Sequence, residues 1–201
     1  MANLLFRRYL LKLMIMMFGP FYELFPKIGM KETRHIHIFK PIDDIPAGEY
    51  AIIDSFCTDK TCDCRRAFLH IHSVDSENLN PTPLATISYG WEDLRFYREW
   101  SPSMDDEMLL NFKGPALDSM QPQSPLANYF LQIVKDTLSN DKEYADRIKR
   151  HYAFYKQKDG MRLPPELQKL VKGMEACPCG SGKLLRMCCL KQRRTSRRRK
   201  R

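Results

Sequence analysis

Several familiar signatures are missing from this sequence. It has no G-x-x-x-x-G-K-[ST] loop, no H-E-x-x-H and no H-x-E…P-C-x-x-C pattern. P-loop nucleotide hydrolysis, helix-borne zinc proteolysis and zinc-dependent deamination are therefore not assembled here. Long apolar runs are missing too. The best candidate, residues 9–18, is interrupted by Lys12, and a spanning helix needs about 20 apolar residues. No internal repeat is present, and acidic residues are absent from 183–201. What is there suffices for a folded domain: 201 residues, 43% hydrophobic and 11% aromatic.

Charge is distributed unevenly. Residues 183–201 hold ten Lys or Arg, and the first forty residues hold seven against two Asp or Glu. Since the whole chain is +9, the span between is net acidic. This argues against a basic-faced nucleic-acid-binding body, though not against a basic arm. The tail from Arg193 to Arg201 is too charged to pack and is expected to be disordered. It suits contact with RNA phosphate, an acidic protein or a membrane surface.

At the other end, Arg7 and Arg8 precede an apolar stretch with the outline of a signal peptide, but no small-residue cleavage pattern follows. Two readings stand for residues 1–29. They form an extension, or reflect a misplaced start, ahead of a folded protein that begins at Met30, or they form a functional segment that lies on a membrane surface.

Hydrophobic alternation predicts strands over 35–39, 49–56 and 67–73, with a further strand within 83–89. A short helix is expected over 92–100, carrying Phe96, Tyr97 and Trp100 inward. These aromatics, with Trp91, read as core and not as a binding platform. Residues 101–123 read as a loop. Ser124 and Pro125 then open a helix whose apolar face holds Leu126, Tyr129, Phe130, Ile133, Val134 and Leu138. After a break at 139–141, a second helix aligns Tyr144, Ile148, Tyr152 and Tyr155, stopping near Gly160; His151 reads as a helix-face residue. Pro164 and Pro165 introduce a short amphipathic piece. Strands first and helices after predict an α+β body over 30–172, a small antiparallel sheet followed by a helical segment.

The seven cysteines fall into two tight clusters. An odd number at such spacing suits reduced, metal-binding thiolates in a cytoplasmic setting better than a disulfide framework. Cys177, Cys179, Cys188 and Cys189 form the second cluster, within 173–191. Four thiolates suit tetrahedral zinc with no open position, which makes the site structural. Pro178 lies between the first two cysteines, and Gly180 and Gly182 allow a tight backbone whose amides can face the sulfurs. Such a zinc centre carries −2, which Lys183, Arg186 and Lys191 would offset. So short a segment has too little apolar surface to fold alone, and metal binding of roughly 10–16 kcal/mol would supply the order.

The run C-P-C-G-S-G-K, eight residues between the inner cysteines, and a closing C-C pair resembles the SEC-C motif. That motif is named for the C-terminal tail of the bacterial preprotein-translocase motor, and it recurs at the ends of many bacterial proteins. The resemblance covers about 176–190. Its final position is His or Cys in the family, which Cys189 satisfies; Leu184 and Leu185 stand where the family usually has an aromatic. It implies zinc binding and docking toward proteins or ribosomes.

The first cluster, Cys57, Cys62 and Cys64, falls between the second and third predicted strands and is expected at a hairpin tip. Two readings stay open: a second zinc site, or a reduced cysteine turn in which Asp63 and Arg65 pair locally. A fourth ligand would come from His70 or His72, from His35 or His37, or from an Asp. The pattern C-x4-C-D-C-R-R, with the Ile87-Ser88-Tyr89-Gly90-Trp91 stretch, also resembles the front domain of some SEC-C-bearing bacterial proteins. The expected function is that of an interaction protein whose zinc knuckle and basic tail over 192–201 dock on a protein or ribonucleoprotein partner. A metal-dependent enzyme centred on Cys57, Cys62 and Cys64, with Asp59 or Asp63 as base, is the first alternative. Sequence-blind nucleic-acid binding by the tail is the second.

Overall fold

The computed structural model describes residues 17–75, 78–79 and 82–173. The four-cysteine motif and the basic tail lie outside the described residues. The chain divides into two units, one ending at Met161 and the other beginning at Arg162.

The first unit is an antiparallel sheet with helices, so the α+β expectation agrees with it. β3 (Gly48–Cys57) and β4 (Arg66–Asp75) form the long central hairpin, paired from Glu49 opposite Val74 to Ser55 opposite Phe68. Two short strands share the outer edge of β3: β1 (Phe18–Pro20) beside Ser55–Cys57, and β2 (Arg34–Ile38) beside Gly48–Ile52. On the far edge of β4 lie β5 (Asn78–Leu79) and β6 (Ala85–Gly90), and β7 (Ala116–Leu117) pairs with β6. Both faces of β3 are buried from Tyr50 to Cys57, which explains why its sequence is nearly continuously apolar and not alternating.

Helices follow from local signals. α1 (Phe21–Leu24) and α2 (Pro26–Glu32) precede β2. Asp93 caps α3 (Leu94–Trp100) by accepting from Phe96 N, and Asp105 caps α4 (Asp106–Lys113) by accepting from Met108 N. α5 (Ala127–Asn140) buries Ala127, Phe130 and Val134, and α6 (Lys142–Lys158) is capped by Asp141. Gly160, at φ +95°, follows the end of α6 in the left-handed conformation that glycine adopts freely. In the second unit, α7 (Pro165–Val171) starts on proline, and Gln168 Nε2 donates to Leu163 O.

The helices lean on one sheet face through ring contacts. Tyr50 meets Phe130 at 5.0 Å, and Phe56 meets Tyr152 and Tyr155 at 5.8 and 5.7 Å. At one end of the opposite face, the guanidinium of Arg66 lies 3.3 Å from the Phe112 ring centroid of α4.

Three expectations need correction. Residues 101–123 are not one loop: they contain α4 and β7, and the cap at Asp105 with Asp106 and Glu107 in the first turn is an ordinary helix start. Of the aromatics on α3 only Tyr97 is buried; Trp100 is 37% exposed. The fold also begins before Met30. β1 joins the sheet, and Phe21 is buried at 1% exposure, stacked on His151 at 3.8 Å and edge-on to Phe56. Met30 itself is 82% exposed.

His151, read as a helix-face residue, is buried on the inward face of α6. Its Nδ1 lies 2.7 Å from Asp54 Oδ2 and its Nε2 3.0 Å from Glu32 Oε2, while Arg150 pairs with the same Glu32 oxygen. The cluster ties α2 to α6 and to the polar residue in the middle of β3.

Two outcomes are expected in urea denaturation of the full chain. Phe21→Ala should cost about 3–5 kcal/mol, as buried Phe truncations do; a loss below 1 kcal/mol would place residues before Met30 outside the core. Glu32→Gln should show a pH signature. The hydrogen bond from His151 chiefly, with the charge of Arg150, outweighs burial and holds the Glu32 carboxyl at about 2, against an ordinary 4.5. The stabilisation is thus complete above pH 4.5 and disappears as pH falls toward 2. The stability gap between wild type and Glu32→Gln should shrink over that window and stay constant above it.

Candidate metal centre

The tip of the central hairpin is shaped by its own polar residues. Asp59 Oδ1 accepts from both the backbone N–H and the hydroxyl of Thr61, each at 2.8 Å, and Cys62 N–H donates to Asp59 O. This turn brings Cys62 back toward Cys57 at the end of β3. The chain then kinks at Arg65, which sits at φ +47°, a conformation costing a non-glycine residue roughly 1–2 kcal/mol.

Arg65 is held there from every side. Its N–H donates to Tyr152 Oη, its carbonyl accepts from Tyr97 Oη, and its guanidinium pairs with Asp63 and Glu92. The guanidinium also lies 4.7 Å from the Phe96 ring centroid. Gly90 makes room for this arrangement, since a Cβ there would fall 2.2 Å from Tyr97 Oη.

The result is a sulfur cluster. The Sγ atoms of Cys57, Cys62 and Cys64 lie within 4.8 Å of one another. Tetrahedral zinc with Zn–S bonds of about 2.3 Å separates its sulfurs by about 3.8 Å, so modest contraction would close the triad on an ion. Cys57 and Cys64 are buried and Cys62 is half-buried. The S–H groups of Cys62 and then Cys64 donate to Cys57 and lower its pKa. The Asp59 N–H and the charge of Lys156 assist, against burial. The same sharing raises Cys62 and Cys64. A thiolate stabilised by two neighbouring thiols is the state that a soft cation would displace protons from.

Of the sequence-predicted residues, the structure gathers these three cysteines and leaves the histidines elsewhere. His70 stands opposite Ile53 and contacts Thr86 Oγ1, and burial with His72 nearby pushes its pKa down to about 4. His35 contacts Glu49. Among the described residues no fourth His, Cys, Asp or Glu atom joins the 4.8 Å set. Asp59 is committed to Thr61, and Asp63 accepts from Tyr152 and Arg65. Neither carboxylate proposed as a base is therefore free of local partners. Cys177, Cys179, Cys188 and Cys189 lie outside the described residues.

Sequence reasoning missed the supporting shell. Tyr152 donates to Asp63 Oδ1 at 3.0 Å, and Lys156 is fully buried, its Nζ 3.0 Å from Cys57 O and 2.6 Å from Asp59 O. The signal existed: Ile148, Tyr152 and Lys156 recur every fourth residue, so Lys156 shares their helix face. Arg66 is buried as well, donating to Ser88 Oγ and resting on Phe112, and burial lowers its pKa to about 10.

The chain matches no protein-family model, no curated protein and no solved structure. Among the described residues no helix is long and apolar enough to cross a membrane.

Removing the Tyr152 hydroxyl isolates this shell. Tyr152→Phe removes the hydroxyl that accepts from the Arg65 N–H and donates to Asp63 Oδ1, which should cost about 1–3 kcal/mol in denaturation. It should also weaken zinc binding at the hairpin roughly tenfold. An unchanged zinc affinity in a competition titration would remove Tyr152 from the site.

Proposed function

We propose that this is a zinc-binding interaction protein. In this reading Cys57, Cys62 and Cys64 hold one Zn2+ at the hairpin tip. Cys177, Cys179, Cys188 and Cys189 hold another, and the terminal motif with its basic tail docks on a protein or ribonucleoprotein partner. The observation that carries the metal assignment is the convergence of three sulfurs within 4.8 Å at a tip pinned by Arg65, Tyr152 and Lys156. Thiolate donors favour zinc among the common divalent ions. The docking role is supported by the terminal cysteine spacing and by ten cations in 183–201 without an acidic residue.

A catalytic reading is favoured by one feature. Three protein ligands and a half-buried Cys62 match a zinc site that keeps a position for water or substrate. Against it, Asp59 and Asp63 already accept local hydrogen bonds. The two readings part on cobalt-substituted protein. An open position takes up azide and changes the visible spectrum, whereas a closed structural centre does not.

Native mass spectrometry of protein purified under reducing conditions should find two zinc ions per chain. Replacing Cys57, Cys62 and Cys64 by serine should remove one of them and leave the other. A wild-type chain with a single zinc that survives this triple substitution would refute the hairpin site.

A further inference from the structure

Lys156 poses an electrostatic problem that the rest of the fold does not solve. Its side chain is at 0% exposure in the middle of the last turns of α6. Buried ammonium groups are normally paired with a carboxylate, because taking the charge out of water is costly. No carboxylate lies within ion-pair distance of Lys156 among the described residues. Its partners are two neutral carbonyls, those of Cys57 and Asp59, with the Tyr152 ring centroid at 5.9 Å. Of the acids around the hairpin tip, Asp63 and Glu92 pair with Arg65, and Asp59 accepts from Thr61.

Both carbonyls belong to the segment that carries the sulfurs. One is that of a ligand, Cys57, and the other belongs to the residue whose turn delivers Cys62. The ammonium therefore fixes the loop that sets the sulfur spacing. A divalent ion on three thiolates carries −1, which a single buried ammonium matches.

We propose that Lys156 is a positioning residue of the hairpin metal centre, holding the ligand loop through two carbonyls and supplying the counter-charge of the three-thiolate complex. This rests on the hairpin triad binding metal. It adds to that reading a specific residue on α6, far from the cysteines in sequence, on which affinity depends. It also gives the centre an electrostatic preference for a complex of net charge −1.

The test uses the full chain with Cys177, Cys179, Cys188 and Cys189 changed to serine, so that the hairpin triad alone supplies thiolates. Zinc affinity is measured by competition with a chromophoric chelator, and the thiolate-to-cobalt charge-transfer band is recorded after loading Co2+. Lys156→Met, which keeps length and loses both donors and charge, should weaken zinc binding roughly 10- to 100-fold and shift the cobalt band. Lys156→Arg, which keeps donors and charge on a larger head group, should bind zinc more tightly than the uncharged variant. Circular dichroism of the metal-free proteins confirms that each variant folds. If Lys156→Met does not fold, Lys156→Gln takes its place as the uncharged variant. The inference is overturned if the uncharged variant binds zinc as tightly as the parent, or if Lys156→Arg is as weak as the uncharged variant. A parent chain that binds neither zinc nor cobalt would instead overturn the metal reading on which the inference rests.

Discussion

Within two turns, helix α6 has to bury His151, Tyr152 and Lys156, and the sheet has to receive them. Each would be expensive to desolvate alone. The cost is offset only because β3 and the loop after it present a matching partner to each: Asp54 to His151, Asp63 and the Arg65 N–H to Tyr152, and two carbonyls to Lys156. Because hydrogen bonds are directional, these contacts fix one register of the helix on the hairpin. Glu32 extends the constraint to α2, since it meets both His151 and Arg150.

That register decides the geometry of the cysteine tip. Short hairpin loops are usually set by their own turn residues. Here the Asp59 turn provides half of the shape, and the left-handed Arg65 needs outside support from Tyr97 and Tyr152. The sulfurs are thus held by two elements distant in sequence. A metal bound to them would be linked to the docking of α6, and its binding free energy would count toward the stability of that docking. This is the physical reason to expect metal and fold to report on each other at this site.

Much of the sheet could be read directly. Alternation at His35, Ile36, His37 and Ile38 marked β2, and the placement of the first cysteines at a hairpin tip followed from the strands on either side. The helix α6 was legible from Tyr144, Ile148, Tyr152 and Tyr155. What failed had identifiable causes. α4 is only eight residues and holds Met, Leu and Phe in a segment flanked by Pro and Gly, so the irregular composition hid the cap at Asp105. The start of the fold was misplaced because Phe21 lies near the apolar run of the N-terminus, and its burial depends on His151, which is 130 positions away. The roles of His151 and Lys156 are set by such long-range partners. Periodicity can put a charged residue on an inward face, but only the tertiary structure says which groups await it there.

The two cysteine clusters differ in how order would be obtained. The terminal motif is short and glycine-bearing, and by its sequence has little apolar surface of its own. Its ligand geometry would have to be supplied by the metal. At the hairpin, the strands, the Asp59 turn and α6 place three sulfurs within 4.8 Å of one another. Where the fold sets this spacing, part of the entropy of assembling the site is lost on folding and not on binding, which would favour affinity at this centre. Against that stands proton release: the Cys62 and Cys64 thiols are held protonated by their hydrogen bonds to Cys57 and by burial, and both must lose a proton to a metal. Preorganisation and proton competition act in opposite directions on the same three sulfurs, and a buried ammonium beside them shifts the balance toward the thiolates.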